Sequence, residues 1–488
     1  MIVGVALLGL LARVFYSLRH GGPVYVGGYD SGVYYAAADA LVHGRLPYRD
    51  FLFIETPGVA VVTAPFAFLG AQTHDALGYG AANLFFAGIG AASSGMVAAV
   101  LRRFGLPAAV FGGVFYAVTD IAVSSEQFIK LEPVATLLIL IALLLLGDVR
   151  RPVGRRRMLV AGLLLGLACG FKIWYVVPAL VVVAATPGVR RRLRLLAAEA
   201  VGAVVIMLPF FLASPAVMFR EVVLDQLGRG RGGPSVVGRL HDILGGATVP
   251  HTATRLLGLT VGEITGGLAV LAVIAVIFAL RRPSARLYVW LLLSGLLVLI
   301  VAPSFFSYYT SLTSAPLALV LGAGFAELVG LLSTRSGRLV LTTTALAGLV
   351  LLNLPGQWHA HPGEHPSAGL RRAVATVPGC VISDDPEILA ATDVLSRDLS
   401  DGCVLWPDVT GWTYDLDTGM HDGVYTPRTK NLAWQKHVTS YLTSGSAVMV
   451  YRPETGLSEH TRRVVTAGPV LFRDGEWVLY ATPHHLGG

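Results

Sequence analysis

The chain has 488 residues, of which 54% are hydrophobic and only 14% charged, and its mean hydropathy is +0.66. That composition excludes a string of soluble domains and places most of the chain in a bilayer. The net charge of +7 does not signal nucleic acid either, because the arginines fall in short bursts between apolar runs rather than along one amphipathic face.

The first apolar run, residues 1–18, follows no basic region and precedes no small-residue cleavage signal, so it reads as a retained span rather than a signal peptide. Further apolar stretches near 78–101, 106–124, 133–147, 158–171, 173–186, 195–213, 264–280, 287–303, 311–332 and 339–354 raise the expected number of transmembrane helices to about eleven. Arginine clusters orient them: Arg102 and Arg103; Arg150, Arg151, Arg155, Arg156 and Arg157; Arg190, Arg191, Arg192 and Arg194; Arg281, Arg282 and Arg286; Arg335 and Arg338. Each cluster falls on the same side of the alternating spans, which the positive-inside rule makes cytoplasmic. The opposite face then carries the loop 19–77, the turn 125–132, the tip near Lys172, the long segment 214–263, the turn 304–310 and everything after 355. An apolar piece at 57–70 would spoil the alternation if it crossed, so it reads as a helix lying in the interface.

Beyond Pro355 the composition turns polar, and short apolar runs at 380–382, 403–406, 447–451 and 477–481 stand among Asp, Gly and Pro turns. With helices expected over 366–376, 386–398 and 429–443, residues 355–488 read as a small α/β domain outside the cell, and residues 1–354 as the membrane domain. Cys380 and Cys403 both lie in this outer part, where oxidation is permitted; a disulfide and two free thiols are equally compatible with the sequence. Cys169 lies in an apolar run.

Charges on the outer face are the candidates for chemistry. Asp30 opens a helix with Tyr34 one turn on, Glu55 opens the interfacial segment, and Lys130 and Glu132 flank the turn before Pro133. Each has a plain structural reading as well: a helix cap for Asp30, a partner of Arg45 or Arg49 for Glu55, and a complement to the helix dipole for Glu132. The argument for function is that independent arginine topology puts all four on one side of the membrane, where carboxylates are costly unless used or paired. Lys172 and, from the glycine-rich segment 214–263, Arg229, Arg231, Arg239 and Arg255 are the cations that suit a leaving phosphate. Tyr34 and Tyr308 suit stacking on a sugar, although interfacial aromatics are also ordinary anchors. Glu55 with His241 and His251 makes an O/N set for a divalent ion, but the spacing carries no metal signature. In the outer domain, Asp384, Asp385 and Glu387 precede or open a helix at Pro386, and Trp406, Trp412 and Tyr414 lie beside Asp408, Asp415 and Asp417; glycan binding and ordinary core packing both fit.

Over residues 1–354 this layout resembles the GT-C glycosyltransferases of the protein-mannosyltransferase and lipid A aminoarabinose-transferase type, which use polyprenyl-phosphate sugars. In that family an aspartate of the first outer loop is the catalytic base, which maps onto Asp30; its neighbour here is Ser31 rather than a second acid. Glu55-Thr56-Pro57 stands where relatives have a Glu-Lys-Pro-like element, and Thr56 replaces the lysine. Glu132-Pro133, the run from Gly166 to Lys172 and the aromatic turn from Ser304 to Pro316 are similar to further family elements. The resemblance implies an inverting membrane glycosyltransferase, of hexosyl or pentosyl type, that moves a sugar from a polyprenyl-phosphate donor to a glycan, lipid or protein acceptor of the cell envelope. It implies the outer face of a bacterial plasma membrane; no cofactor is certain from the sequence, and a divalent metal ion stays open. The Ala-, Gly- and Arg-rich composition points to a high-GC bacterium of actinobacterial type, with mannose or arabinose as the expected sugar. The competing reading is a transporter or flippase of lipid-linked or small polar substrates, which would place ionisable residues near the midplane and show repeat symmetry; neither is visible in the sequence.

Overall fold

The computed structural model describes residues 1–230, 232–246, 249, 254–255, 258–358, 364–415 and 426–482. The first segment forms α1 (Ile2–Arg19), α2 (Asp30–Val42), α3 (Gly58–Gln72), α4 (Asp75–Leu101), α5 (Leu106–Val118), α6 (Asp120–Glu126), α7 (Glu132–Leu146), α8 (Arg155–Cys169), α9 (Val176–Ala185) and α10 (Val189–Ala213). Two short pieces, α11 (Pro215–Phe219) and α12 (Asp225–Gly228), lead into α13 (Val236–Ile243), and then α14 (Val261–Arg281), α15 (Arg286–Val301), α16 (Ser311–Gly330) and α17 (Arg335–Trp358) follow.

Six of these, α1, α4, α10, α14, α16 and α17, are long and apolar enough to cross a membrane, some with a turn added or removed at an end. The protein is therefore a multi-pass membrane protein. The expected span 106–124 is broken: α5 and α6 meet at 54° around Thr119, whose extended backbone lets the Asp120 amide donate to Asn353 Oδ1 at 3.2 Å. The expected spans at 133–147, 158–171, 173–186 and 287–303 are helices of only 10 to 16 residues, and α3, at 15 residues, reaches about 22 Å.

Local chemistry explains the boundaries. A capping box between Thr260 and Glu263 starts α14, and α7 starts with Pro133 in its first turn and ends at Gly147, whose φ of +58° favours glycine. In α8 and α10, Gly162, Gly166 and Gly202 let the backbones touch; a Cβ on Gly166 would collide with the Glu199 carbonyl. The arginine turns converge, since Arg103 Nη2 donates to the Ser284 carbonyl at 2.8 Å and Arg191 Nη2 to the Arg151 carbonyl at 2.7 Å. Within the helices, Arg13 of α1 is fully buried and ion-paired with Glu126 at the end of α6, and Tyr116 donates to the same carboxylate.

After residue 364 the chain builds α18 (Ala368–Ala375), β1 (Val381–Ser383), α19 (Pro386–Ala391), α20 (Leu395–Ser400), α21 (Leu432–Leu442), β2 (Ala447–Met449), α22 (Glu459–Val465), β3 (Val470–Asp474) and β4 (Trp477–Ala481). One mixed sheet results, in the order β1-β2-β4-β3, with β1 parallel to β2 and the other pairs antiparallel. The run 403–406 is not a strand: Cys403 is disulfide-bonded to Cys380, and Val404 beyond it is exposed. β3 escaped the sequence reading because it is a largely exposed edge paired only with β4.

This unit docks on the first loop and on α2 and α4. Glu387 Oε2 accepts the amides of Gly27 at 2.7 Å and Gly28 at 2.9 Å, and Tyr79 donates to Oε1. Ser396 bonds Asp39 at 2.9 Å and its amide donates to Asp75 at 3.0 Å, while Arg45 Nη1 donates to the Cys403 carbonyl at 2.7 Å. Small residues make the approach possible, because Ala36, Ala37 and Ala38 are fully buried and a side chain at Gly32 would strike Glu387.

Candidate active site

A cavity of about 520 Å³ lies between loops and helix ends of the membrane part and the C-terminal unit. Asp30, Tyr34, Glu55, Lys130, Arg229 and Tyr308 all line it. Asp30 is the first residue of α2, and Lys130 comes from the turn between α6 and α7; their side chains meet, with Lys130 Nζ 2.8 Å from Asp30 Oδ2. The Tyr308 ring lies 4.3 Å from Lys130 Nζ. Across the cavity Arg229 Nη2 stands 3.8 Å from Glu55 Oε1, its guanidinium 4.7 Å from the Tyr414 ring. Tyr34 is buried with its ring edge-on to Phe53.

Glu132 and Lys172 are not among the lining side chains. They pair with each other at 2.6 Å, one layer behind, and Lys172 Nζ lies 3.9 Å from the Tyr309 ring, which does face the cavity. His241 pairs with its neighbour Asp242 at 3.4 Å, and among the described residues no three His, Cys, Asp or Glu side chains form a group able to hold a metal ion. Arg231, His251 and Asp417 lie outside the described residues. Arg239, among the other loop cations, is committed to the carbonyls of Leu299 and Ala302 at 2.8 and 2.7 Å.

No family model matches the chain, and no curated protein matches it in sequence. Solved structures do match in shape. ArnT from Cupriavidus metallidurans, in its apo state, superposes with a TM-score of 0.57 at 17% identity, over 100% of this chain and 98% of that one. The chain has the GT-C fold. ArnT bound to undecaprenyl phosphate gives 0.56 over the same shares at 17% identity. A looser likeness, with a TM-score of 0.48 at 14% identity, links 77% of this chain to 55% of the oligosaccharyltransferase of Archaeoglobus fulgidus.

Within the GT-C fold, the electrostatics separate Asp30 from Glu55, two of the acidic residues that line the cavity. Burial works to raise the Asp30 carboxyl, but the Lys130 ammonium and its hydrogen bond outweigh it and hold Asp30 below the usual range. Burial wins at Glu55, which is raised despite the opposing pull of Lys172 and Arg229. Two carboxyls of one cavity pushed apart in this way are suited to different protonic roles.

The sequence offered the acidic and aromatic cluster of the C-terminal unit for glycan binding or for core packing, without showing which of its residues reach the cavity. In the structure Asp408, Thr410, Arg428 and Arg452 line the cavity from that unit. Tyr29 joins the halves: its hydroxyl donates to Asp408 Oδ1 at 2.9 Å and accepts the Thr410 amide at 3.0 Å, and Arg452 lies 4.7 Å over its ring. Tyr29 has φ of +38°, a strained value for a tyrosine, immediately before Asp30. The only sequence signal for this wall was the acidic and aromatic stretch around Trp406 to Asp415. Its tryptophans prove to be packing residues, with Trp406 stacked on Tyr441 at 4.7 Å and tilted against Trp412 at 4.9 Å.

Proposed function

We propose that the protein is an inverting glycosyltransferase that moves a sugar from a polyprenyl-phosphate donor to a cell-envelope acceptor, a glycan, lipid or protein, at the outer face of a bacterial plasma membrane. The observation that carries this reading is the single cavity in which a carboxylate, Asp30, meets Lys130, with Arg229 and Glu55 opposite. The GT-C fold and the undecaprenyl phosphate bound to ArnT support the class of donor. The Cys380–Cys403 disulfide supports an oxidising compartment for the C-terminal unit.

In this mechanism Lys130 and Arg229 hold the donor phosphate and offset the negative charge that develops as it leaves. Asp30 takes the proton of the acceptor hydroxyl, which attacks the anomeric carbon opposite the phosphate. Lys130 therefore has two states. In the empty site it keeps Asp30 ionised; a phosphate that draws the ammonium away restores basicity to Asp30 when it is needed. Glu55 orients the Arg229 guanidinium, 3.8 Å away, Tyr34 and Tyr308 wall the sugar, and Lys172 with Glu132 fixes Tyr309 behind them. A transporter reading gains nothing from the paired charges at one end of the helices.

The test is incubation of the purified protein with a panel of radiolabelled polyprenyl-phosphate hexoses and pentoses, mannose and arabinose first. Transfer or slow hydrolysis of one of them is expected, and Asp30→Asn abolishes transfer while donor binding persists. Normal transfer by a correctly folded Asp30→Asn protein would remove Asp30 as the base.

A further inference from the structure

The wall that the C-terminal unit gives to the cavity has its own chemistry. Asp408 Oδ1 takes three donors: Tyr29 Oη at 2.9 Å, the Gly411 amide at 2.7 Å and Thr410 Oγ1 at 3.1 Å. Its Oδ2 accepts no hydrogen bond from the described residues that hold Oδ1, and the side chain lines the cavity. A carboxylate pinned by one oxygen offers the other in a fixed direction, as a strong acceptor for a hydroxyl.

Beside it stand two guanidinium groups with N–H capacity left over. Arg428 uses Nε and Nη2 on the carbonyls of Thr455 and Glu454, at 3.0 and 3.1 Å, and Arg452 uses Nη1 on Asp385 at 3.3 Å. Thr410 and Tyr414 complete the wall. Fixed carboxylate, guanidinium donors, hydroxyl and ring are a set that matches a molecule rich in alternating donors and acceptors. None of the residues of β1 to β4 lines the cavity, so an open strand edge for an extended peptide is not offered there.

We infer that this wall is the acceptor subsite and that it takes a polyhydroxylated glycan, one of whose hydroxyls donates to Asp408 Oδ2. The inference rests on the transfer reading for the order of events but not for the binding itself. Tyr29 gives the spatial link, since it is adjacent to Asp30 in the chain and bonded to Asp408, so a glycan on this wall has a hydroxyl next to the proposed base.

The experiment uses the full chain in detergent or nanodiscs, with arabino-, manno- and galacto-oligosaccharides as probes and saturation-transfer NMR or calorimetry as the readout. Asp408→Asn keeps the oxygen that three donors hold and replaces only Oδ2 with an amide NH2. At least one series binds the wild-type protein, and Asp408→Asn weakens that binding by about tenfold or more, the usual effect of losing a hydrogen bond to a charged group. Polyprenyl-phosphate binding and melting temperature stay unchanged, which separates the subsite from a folding defect. Absence of binding by every series to the wild-type protein, or equal binding by Asp408→Asn, overturns the inference. If no donor supports transfer while Asp408-dependent glycan binding persists, the subsite stands and the transfer reading falls. If transfer proceeds in Asp408→Asn with an unchanged acceptor KM, the reverse holds.

Discussion

Lys172 Nζ and Glu132 Oε1 hold each other at 2.6 Å with only 3% of each side chain exposed, one from the connection between α8 and α9, the other at the start of α7. A pair this buried is a geometric fixture rather than a free binding group. Removing one partner strands the other charge where water does not reach it.

Glu132→Ala is therefore expected to destabilise the protein by about 3 to 5 kcal/mol. Thermal unfolding in detergent checks this, and Glu132→Ala combined with Lys172→Met should recover part of the loss. A melting temperature for Glu132→Ala equal to wild type would show that the pair is solvated.

Arg13 and Glu126 make a second buried pair, which ties α1 to the end of α6, four residues before Lys130. Glu126→Ala leaves the Arg13 charge unpaired, at a cost of about 3 to 5 kcal/mol. Replacing both, as Arg13→Met with Glu126→Leu, restores much of the melting temperature but not the transfer rate, because the turn carrying Lys130 loses its tether.

In the proposed mechanism Lys130 sets the acid limb of transfer. Asp30 has a depressed carboxyl, so the stability it contributes is present above its unfolded value, about 3.9, and is lost only as pH falls through its lower folded value. In Lys130→Met burial is no longer opposed by that ammonium, and the carboxyl rises. The acidic limb of the transfer rate against pH moves to higher pH; an unmoved limb would mean that Asp30 does not carry the proton.

Glu387 behaves with the opposite sign. Burial, then the neighbouring Asp385 charge, pushes it up to about 7. Its contribution to stability is full below its unfolded value, about 4.3, and is lost as pH rises towards and through the folded value. Melting temperatures measured from pH 5 to pH 8, a range that brackets the shifted value, should fall less steeply for Glu387→Gln than for wild type. Parallel slopes would contradict this.

The disulfide closes a loop across a separation of 23 residues, and Cys380→Ser with Cys403→Ser should cost about 3 kcal/mol. Non-reducing mass mapping of the bond and unfolding with and without reductant check it. Equal stability under both conditions would remove the staple from the account.

Apolar runs and arginine bursts were enough to read a multi-pass helical protein, because hydrophobic length and charge position act through the solvent on each segment separately. The same local logic exposed Asp30, Glu55 and Lys130 as charges near the ends of helices. It also located α18 and α21 and the stretch that folds as α19 and α20, though as one helix and without α22; caps such as Asp385 with Glu387 are written within a few residues. The break at Thr119 and the edge strand β3 were hidden, since the first depends on a contact with Asn353 and the second lacks a buried face.

Tertiary structure alone decided which charges face the cavity. Lys130 reaches Asp30 over 100 positions and Tyr29 reaches Asp408 over 379, and no periodicity encodes such a meeting. The sequence by itself determined the medium and the number of charges that medium makes costly. Only the packing of α2 against α19 and of α6 against α1 determined their partners, because a buried charge is defined by what lies within a few ångströms of it, not by what precedes it in the chain.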